Sequence, residues 1–171
     1  TLLTSYTYST SQGSLDFSQG NGSDFDVYPY HWLNRYGFLS DHRRHRLKLN
    51  GFLSLRGDWT LAFDGAWSSA FRWQPQADVS DDPELPLGAT YLEPRGSLEA
   101  FTEHNLNLQL SKGFKVGGLR LVAIGSVLNV FSSEHGTQVC SDVGGCAGFA
   151  MGKAIDWSLP RRYELGFRAE F

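Results

Sequence analysis

The chain has 171 residues, with 15 Lys plus Arg against 18 Asp plus Glu and a formal net charge of −3. That length is room for one ordinary domain, and the missing basic excess argues against a nucleic-acid partner. No run approaches the ~20 consecutive apolar residues that a membrane-spanning helix needs.

Thr1 opens directly on a strand-like run, "TLLTSYTYST", with no initiator Met and no charged-then-apolar leader. This first predicted strand covers residues 1–10. A polar connection, 11–41, follows and contains "DFDVYPYHWLNRYGF". Its Tyr28, Tyr30, His31, Trp32, Arg35 and Tyr36 combine stacking faces with hydrogen-bonding tips, the composition of recognition surfaces. The same composition also suits an outer aromatic girdle and loop packing. "DHRRH" then brings Asp41, His42 and His45 within five residues. Positions 42 and 45 of a strand point to opposite faces, so a basic rim at a strand mouth fits better than a metal site.

The second predicted strand, 43–55, sets His45, Leu47, Leu49, Leu53 and Leu55 against Arg44, Arg46, Lys48, Asn50 and Ser54. Period-two alternation of this kind marks a strand with one apolar face and one wet face. "RGD" reads as the turn into the third strand, 59–73, whose apolar side is Trp59, Leu61, Phe63, Trp67, Phe71 and Trp73. The connection 74–98 includes "DVSDDPELP", where Asp78, Asp81, Asp82 and Glu84 offer oxygen ligands of the sort calcium prefers. The ordered Asp-x-Asp-x-Asp-Gly pattern is missing, which favours a solvated loop.

The fourth predicted strand, 102–111, opposes Leu106, Leu108 and Leu110 to Asn105, Asn107, Gln109 and Ser111. A short glycine-rich "KGFKVGG" leads to the fifth, 119–131. That strand is apolar on both sides but small on one, with Ala123 and Gly125 opposite Val122, Ile124 and Leu128. The connection 132–160 holds both cysteines, Cys140 and Cys146, around the flexible Gly144–Gly145 pair. A local disulfide, free thiols and a metal site with Asp142 and His135 all fit that segment. The disulfide is the reading expected of an oxidising compartment. The chain closes on "YELGFRAEF", where Tyr163, Leu165, Phe167, Ala169 and Phe171 alternate with Glu164, Gly166, Arg168 and Glu170.

Six strands of about 10–15 residues exceed the usual soluble length of about 5–6 and suit a transmembrane strand of about 9–11 plus its girdles. Short and long connections alternate strictly. In an up-and-down outer-membrane barrel, short turns face the periplasm and long loops face outside. The expected fold is therefore all-β: an antiparallel transmembrane β-barrel segment of about six strands. Its loops 11–41, 74–98 and 132–160 lie outside and its C-terminus is periplasmic. Trp59 would mark one aromatic belt, and Phe71 with Trp73 the other. A soluble β-sandwich with unusually long strands is the alternative. Six strands fall short of the eight that commonly close a barrel, so the remainder of the barrel, or partner chains, should complete it.

At this point the residues resemble a known family. "YELGFRAEF", with Tyr163, Gly166, Phe167 and the closing Phe171, resembles the C-terminal signal read by the barrel assembly machinery. "SVLNVF", with Asn129, Val130 and Phe131, followed by a long loop and "PRRYELGFRAEF", is similar to the last hairpin of TonB-dependent receptors. Pro160 and Arg161 stand where that family leads into its final strand, and Asp41 with His45 match an Asp-x-x-x-His strand start. The Oar-like receptors, with an N-terminal carboxypeptidase-regulatory-type domain, are the nearest likeness.

The resemblance spans nearly all of residues 1–171 outside the loops. It implies the C-terminal part of a barrel of about 22 strands, with the plug and upstream strands lying outside this chain. It also implies import of a ligand across the outer membrane, energised by the TonB system through the plug. The alternative within the same fold is a non-transport barrel, porin-like or a scaffold for a cell-surface complex. No Gly-x-Ser-x-Gly or comparable nucleophile context is present, so no enzyme and no cofactor are expected.

Overall fold

The computed structural model describes residues 1–15, 32–78 and 89–170. Six long strands form one antiparallel sheet: β1 (Leu2–Tyr8), β2 (His45–Leu55), β3 (Trp59–Ser68), β4 (Glu103–Val116), β5 (Leu119–Leu128) and β6 (Arg162–Glu170). Each strand pairs with its neighbours in the sequence, so the spatial order is the chain order. The described residues contain no α-helix.

The register explains why the alternating pattern works across strands as well as along them. Tyr6 opposes Leu47, which opposes Trp67; Leu53 opposes Leu61, which opposes Leu110. Gly125 opposes Leu165 and Ala123 opposes Phe167. Because directly opposed residues share a face, the apolar sets of all six strands fall on one side. The other side carries Arg46, Lys48, Asn50, Asp64, Asn105, Asn107, Gln109, Glu164 and Arg168. Small residues are placed where their partners are large. A Cβ on Gly51 would meet the Phe63 ring at 2.7 Å, and the small Ala123 and Gly125 lie opposite Phe167 and Leu165.

The short connections sit at one end. Arg56, Gly57 and Asp58 turn β2 into β3, with Gly57 and Asp58 at positive φ of 77° and 59°. Gly117 (φ 62°) and Gly118 turn β4 into β5. The three long connections leave the opposite end, as expected. Two predicted boundaries move by five residues, and the fifth strand stops at Leu128 rather than at 131. The fourth strand runs on through Lys112 to Val116, since residues 112–116 pair fully with β5 and need only the two glycines to reverse. The third strand stops at Ser68. Ser69 there donates its N–H to the His45 carbonyl, receives the His45 N–H on its hydroxyl, and offers its carbonyl to Arg43. That closure diverts the chain.

Phe71 and Trp73 accordingly leave the sheet. Phe71 lies under the Arg43 guanidinium and edge-on to Phe101, and Arg72–Trp73 pairs with Leu98–Glu99. The aromatic residues at the long-loop end of the apolar face are instead Tyr6, Tyr8 and Trp67, with Trp59 and Phe114 at the other end. Lys112 is the one cation on the apolar face between those ends. Its ammonium bends to the Gly57 carbonyl in the turn and lies 5.1 Å from the Trp59 ring, keeping its charge at the rim.

No second layer covers the sheet among the described residues: the elements in substantial contact are hydrogen-bonded neighbours. Leu165, Phe167 and Tyr163 are 88%, 87% and 70% exposed. The accessible surface is 11103 Å², against about 8,400 Å² for a compact monomer of this mass. A sandwich would have buried that face. The sheet is not closed: β1 and β6 form its two edges and do not pair with each other.

The buried residues gather in the long connections. Gln12–Gly13 pairs with Gly37–Phe38, Gln76–Asp78 with Ala89–Tyr91, and Gly136–Val139 with Ala154–Trp157. Asn34 joins the first connection to the second through the Tyr91 and Arg95 backbones. Gln76 joins the second to the third through Ser141 and Val143. Tyr91, Val139 and Cys140 are buried within this layer. Cys140 and Cys146 are at disulfide distance, with sulfurs 2.15 Å apart and Cα atoms 5.6 Å apart.

Candidate functional site

The polar face and the loop layer meet in a cavity of about 550 Å³ at the long-loop end. Its floor is set by register: Arg46 opposes Ser68, which opposes Glu103, and Lys48 opposes Ala66, which opposes Asn105. The small Ala66 and Ser68 of β3 leave room between the longer side chains of β2 and β4. On the far side stand Leu128 and its partner Arg162. The third connection closes over the top with Asn129, His135, Ser158, Leu159 and Pro160.

Charge in this cavity runs against the chain's average. Arg43, Arg46, Lys48 and Arg162 line it with Glu103 as the one carboxylate, although the chain as a whole is −3. Arg43 is ion-paired to Glu103 and donates to the Ser69 carbonyl at 3.0 Å. Burial pulls its pKa below the ordinary value while the Glu103 carboxylate opposes that shift. Arg46 donates to the Asp41 carbonyl at 3.0 Å. Among the described residues, Lys48 and Arg162 make no side-chain hydrogen bond or ion pair, and both are exposed to the cavity's solvent.

The lid is held by Asn129. Its side chain donates to the Ser133 and Leu159 carbonyls at 3.2 and 2.9 Å, and its amide oxygen receives the Ser133 N–H at 3.2 Å. Its own N–H donates to the Asn107 side chain at 3.0 Å. Asn is suited to its φ of 52°, because its short polar side chain tolerates the left-handed region. Ser158 and His135 lie together in the lid, but their geometry is that of a turn. The Ser158 hydroxyl donates to the Ser133 carbonyl at 2.9 Å and accepts the His135 backbone N–H at 3.2 Å. Burial lowers the His135 pKa, partly offset by Glu103. The Ser158 hydroxyl also lies 3.4 Å from the His135 Nδ1, longer than the hydrogen bond of about 2.6–3.2 Å that joins a nucleophile to its base.

Of the residues singled out in the first connection, Tyr28, Tyr30 and His31 lie outside the described residues. Trp32 and Tyr36 are exposed, and Arg35 is buried with its guanidinium 4.1 Å from the Tyr91 ring centroid. Arg35 thus serves the loop packing. Asp81, Asp82, Glu84 and Phe171 also fall outside the described residues. Tyr163 and Phe167 project from the apolar face of β6, and Gly166 pairs with Ile124. His42 and His45 are separated, but not by opposite strand faces, since β2 begins at His45 and His42 precedes it in the connection. His45 meets the Tyr6 hydroxyl at 2.8 Å on the apolar side, while His42 is buried under Phe38 in the first connection. No cluster of three potential metal ligands occurs among the described residues.

Sequence reasoning did not find the cavity. Alternation identified Arg46, Lys48 and Asn105 as wet-face residues, but only pairing across strands places them around one space. Compared with protein-family models, with curated proteins and with solved structures, the chain matches none.

Proposed function

We propose that this sheet is part of a transmembrane β-barrel of the bacterial outer membrane, and that the barrel is a TonB-dependent receptor importing a ligand. The observation that supports the membrane reading best is the uncovered apolar face, continuous over six strands, whose one cation between its aromatic ends, Lys112, turns to the rim. In water such a face would drive association. In a bilayer it is the lipid contact. The two unpaired edges support a larger barrel, since open strand edges are not tolerated in hydrocarbon. The import function, the barrel assembly machinery as partner and the TonB coupling through a plug rest on the resemblance of "SVLNVF" and "PRRYELGFRAEF" to the last hairpin of such receptors. The C-terminus would then be periplasmic. A non-transport barrel serving as a surface scaffold is favoured by one observation, the cross-linking of all three long connections into a single layer. A plug upstream of Thr1 separates the two readings.

Leu165 and Glu164 are adjacent on β6 but face opposite sides. Leu165→Lys should destabilise the intact protein by about 2–4 kcal/mol if its side faces lipid, whereas Glu164→Lys should change stability by less than about 0.5 kcal/mol. The check is a guanidinium titration in phospholipid bilayers. Equal, small effects at both positions would rule out lipid on the apolar face.

A further inference from the structure

We propose that the cavity between β2, β4, β6 and the third connection is a binding site for a small organic anion: a carboxylate, sulfonate or phosphate with an apolar body. Four cationic side chains and one carboxylate line it, so it holds a surplus of positive charge inside a net negative chain. Two of the cations are engaged, Arg43 with Glu103 and Arg46 with the Asp41 carbonyl. Lys48 and Arg162 approach from opposite sides with their charges uncommitted among the described residues.

Between them the walls are apolar, with Leu128, Leu159 and Pro160. Cations whose donors are unspent, set in a concave space of about 550 Å³, attract an anion more strongly than they would on an open surface. The low-dielectric walls focus their field, and Arg162 can bind a carboxylate or phosphate in bidentate fashion. The apolar walls add a preference for a solute with a hydrophobic part. A lipid headgroup is disfavoured because these side chains stand on the face opposite the apolar one.

The anion site deepens the transport reading only in so far as the polar face lines a channel; the cavity itself needs just the sheet and its third connection. The experiment is equilibrium binding of naphthalene-2,6-disulfonate to the intact protein in detergent micelles, followed by probe fluorescence. Saturable binding is expected, weakening as NaCl is raised and at least tenfold weaker in the Lys48→Gln/Arg162→Gln double variant. Lys115→Gln, on the same polar face at the far end of β4, should leave affinity unchanged. No saturable binding to the wild type, or equal affinity in the double variant, overturns the proposal. Heat-modifiable migration of the same samples reports the barrel separately. A heat-modifiable protein that does not bind the probe overturns the anion site alone. Charge-dependent binding by a protein that is not heat-modifiable upholds the site and rejects the barrel.

Discussion

Asn129 shows how much one residue can decide. It ends β5, adopts a left-handed backbone, and uses both ends of its amide to clasp Ser133 and Leu159 at 8% exposure. Alanine there would remove the bonds to the Ser133 and Leu159 carbonyls and from the Ser133 N–H, and would strain the backbone. Each lost bond costs about 1 kcal/mol and the left-handed φ about 1–2 kcal/mol. Asn129→Ala should therefore destabilise the lid by about 2–4 kcal/mol, and Asn129→Gly, which relieves only the backbone, by less. Guanidinium midpoints of the intact protein measure both. An alanine variant within about 0.5 kcal/mol of wild type would show that the clasp is dispensable. The sequence placed Asn129 only as a likeness to a family motif. Its physical role was not legible, because its partners lie 4 to 30 positions away.

At the scale of elements, the strands and the connections obey different rules. The strands were legible because alternation is local: a residue's face follows from its parity alone. Where β3 ends was not legible, because Phe71 and Trp73 keep the parity while Ser69 ends the ladder through bonds to His45 and Arg43. The connections are held by buried polar contacts, and His42 makes one of them sensitive to acid. Its Nδ1 accepts the Ser11 N–H at 3.1 Å, and its buried Nε2 has no hydrogen-bond partner among the described residues. Burial lowers its pKa below the ordinary 6.5, and Arg72, Arg44 and Arg46 add to that against the opposing Asp41.

The folded connection therefore keeps the ring neutral while the opened one takes up a proton. Its packing is fully stable above pH 6.5 and is lost progressively as the pH falls below that value. We expect exchange protection of the Ser11 amide, corrected for intrinsic rate, to fall between pH 7.5 and 5.5, and His42→Phe to abolish the fall. Protection independent of pH in the wild type would exclude this. The half-buried His135 has the same sign, so site-resolved exchange is needed to separate the first connection from the third.

For the whole molecule the decisive feature is a sheet with two edges and no cover. The outer edges of β1 and β6 present backbone groups that no described residue pairs. In hydrocarbon each such group costs several kcal/mol, far beyond what a marginally stable fold can absorb. If the sheet belongs to the proposed larger barrel, residues 1–171 expressed alone with an export signal should yield no heat-modifiable, protease-resistant monomer in outer membranes, whereas the complete barrel should. A folded monomer of these residues would mean that the sheet closes on itself.

By itself the sequence determined the number of strands, their faces, the alternation of short and long connections, and the proximity of the two cysteines. All of these depend on parity, on turn residues or on short separation along the chain. Tertiary structure alone decided that the three connections lock into one layer, that Arg35 and His42 are buried there, and that Lys48, Arg162 and Glu103 surround one cavity. Those outcomes depend on register between strands and on contacts across 20 to 80 residues, for example from Arg95 to the Ser14 carbonyl. No local pattern records such contacts, because each partner alone looks like any other exposed polar residue until the sheet brings them together.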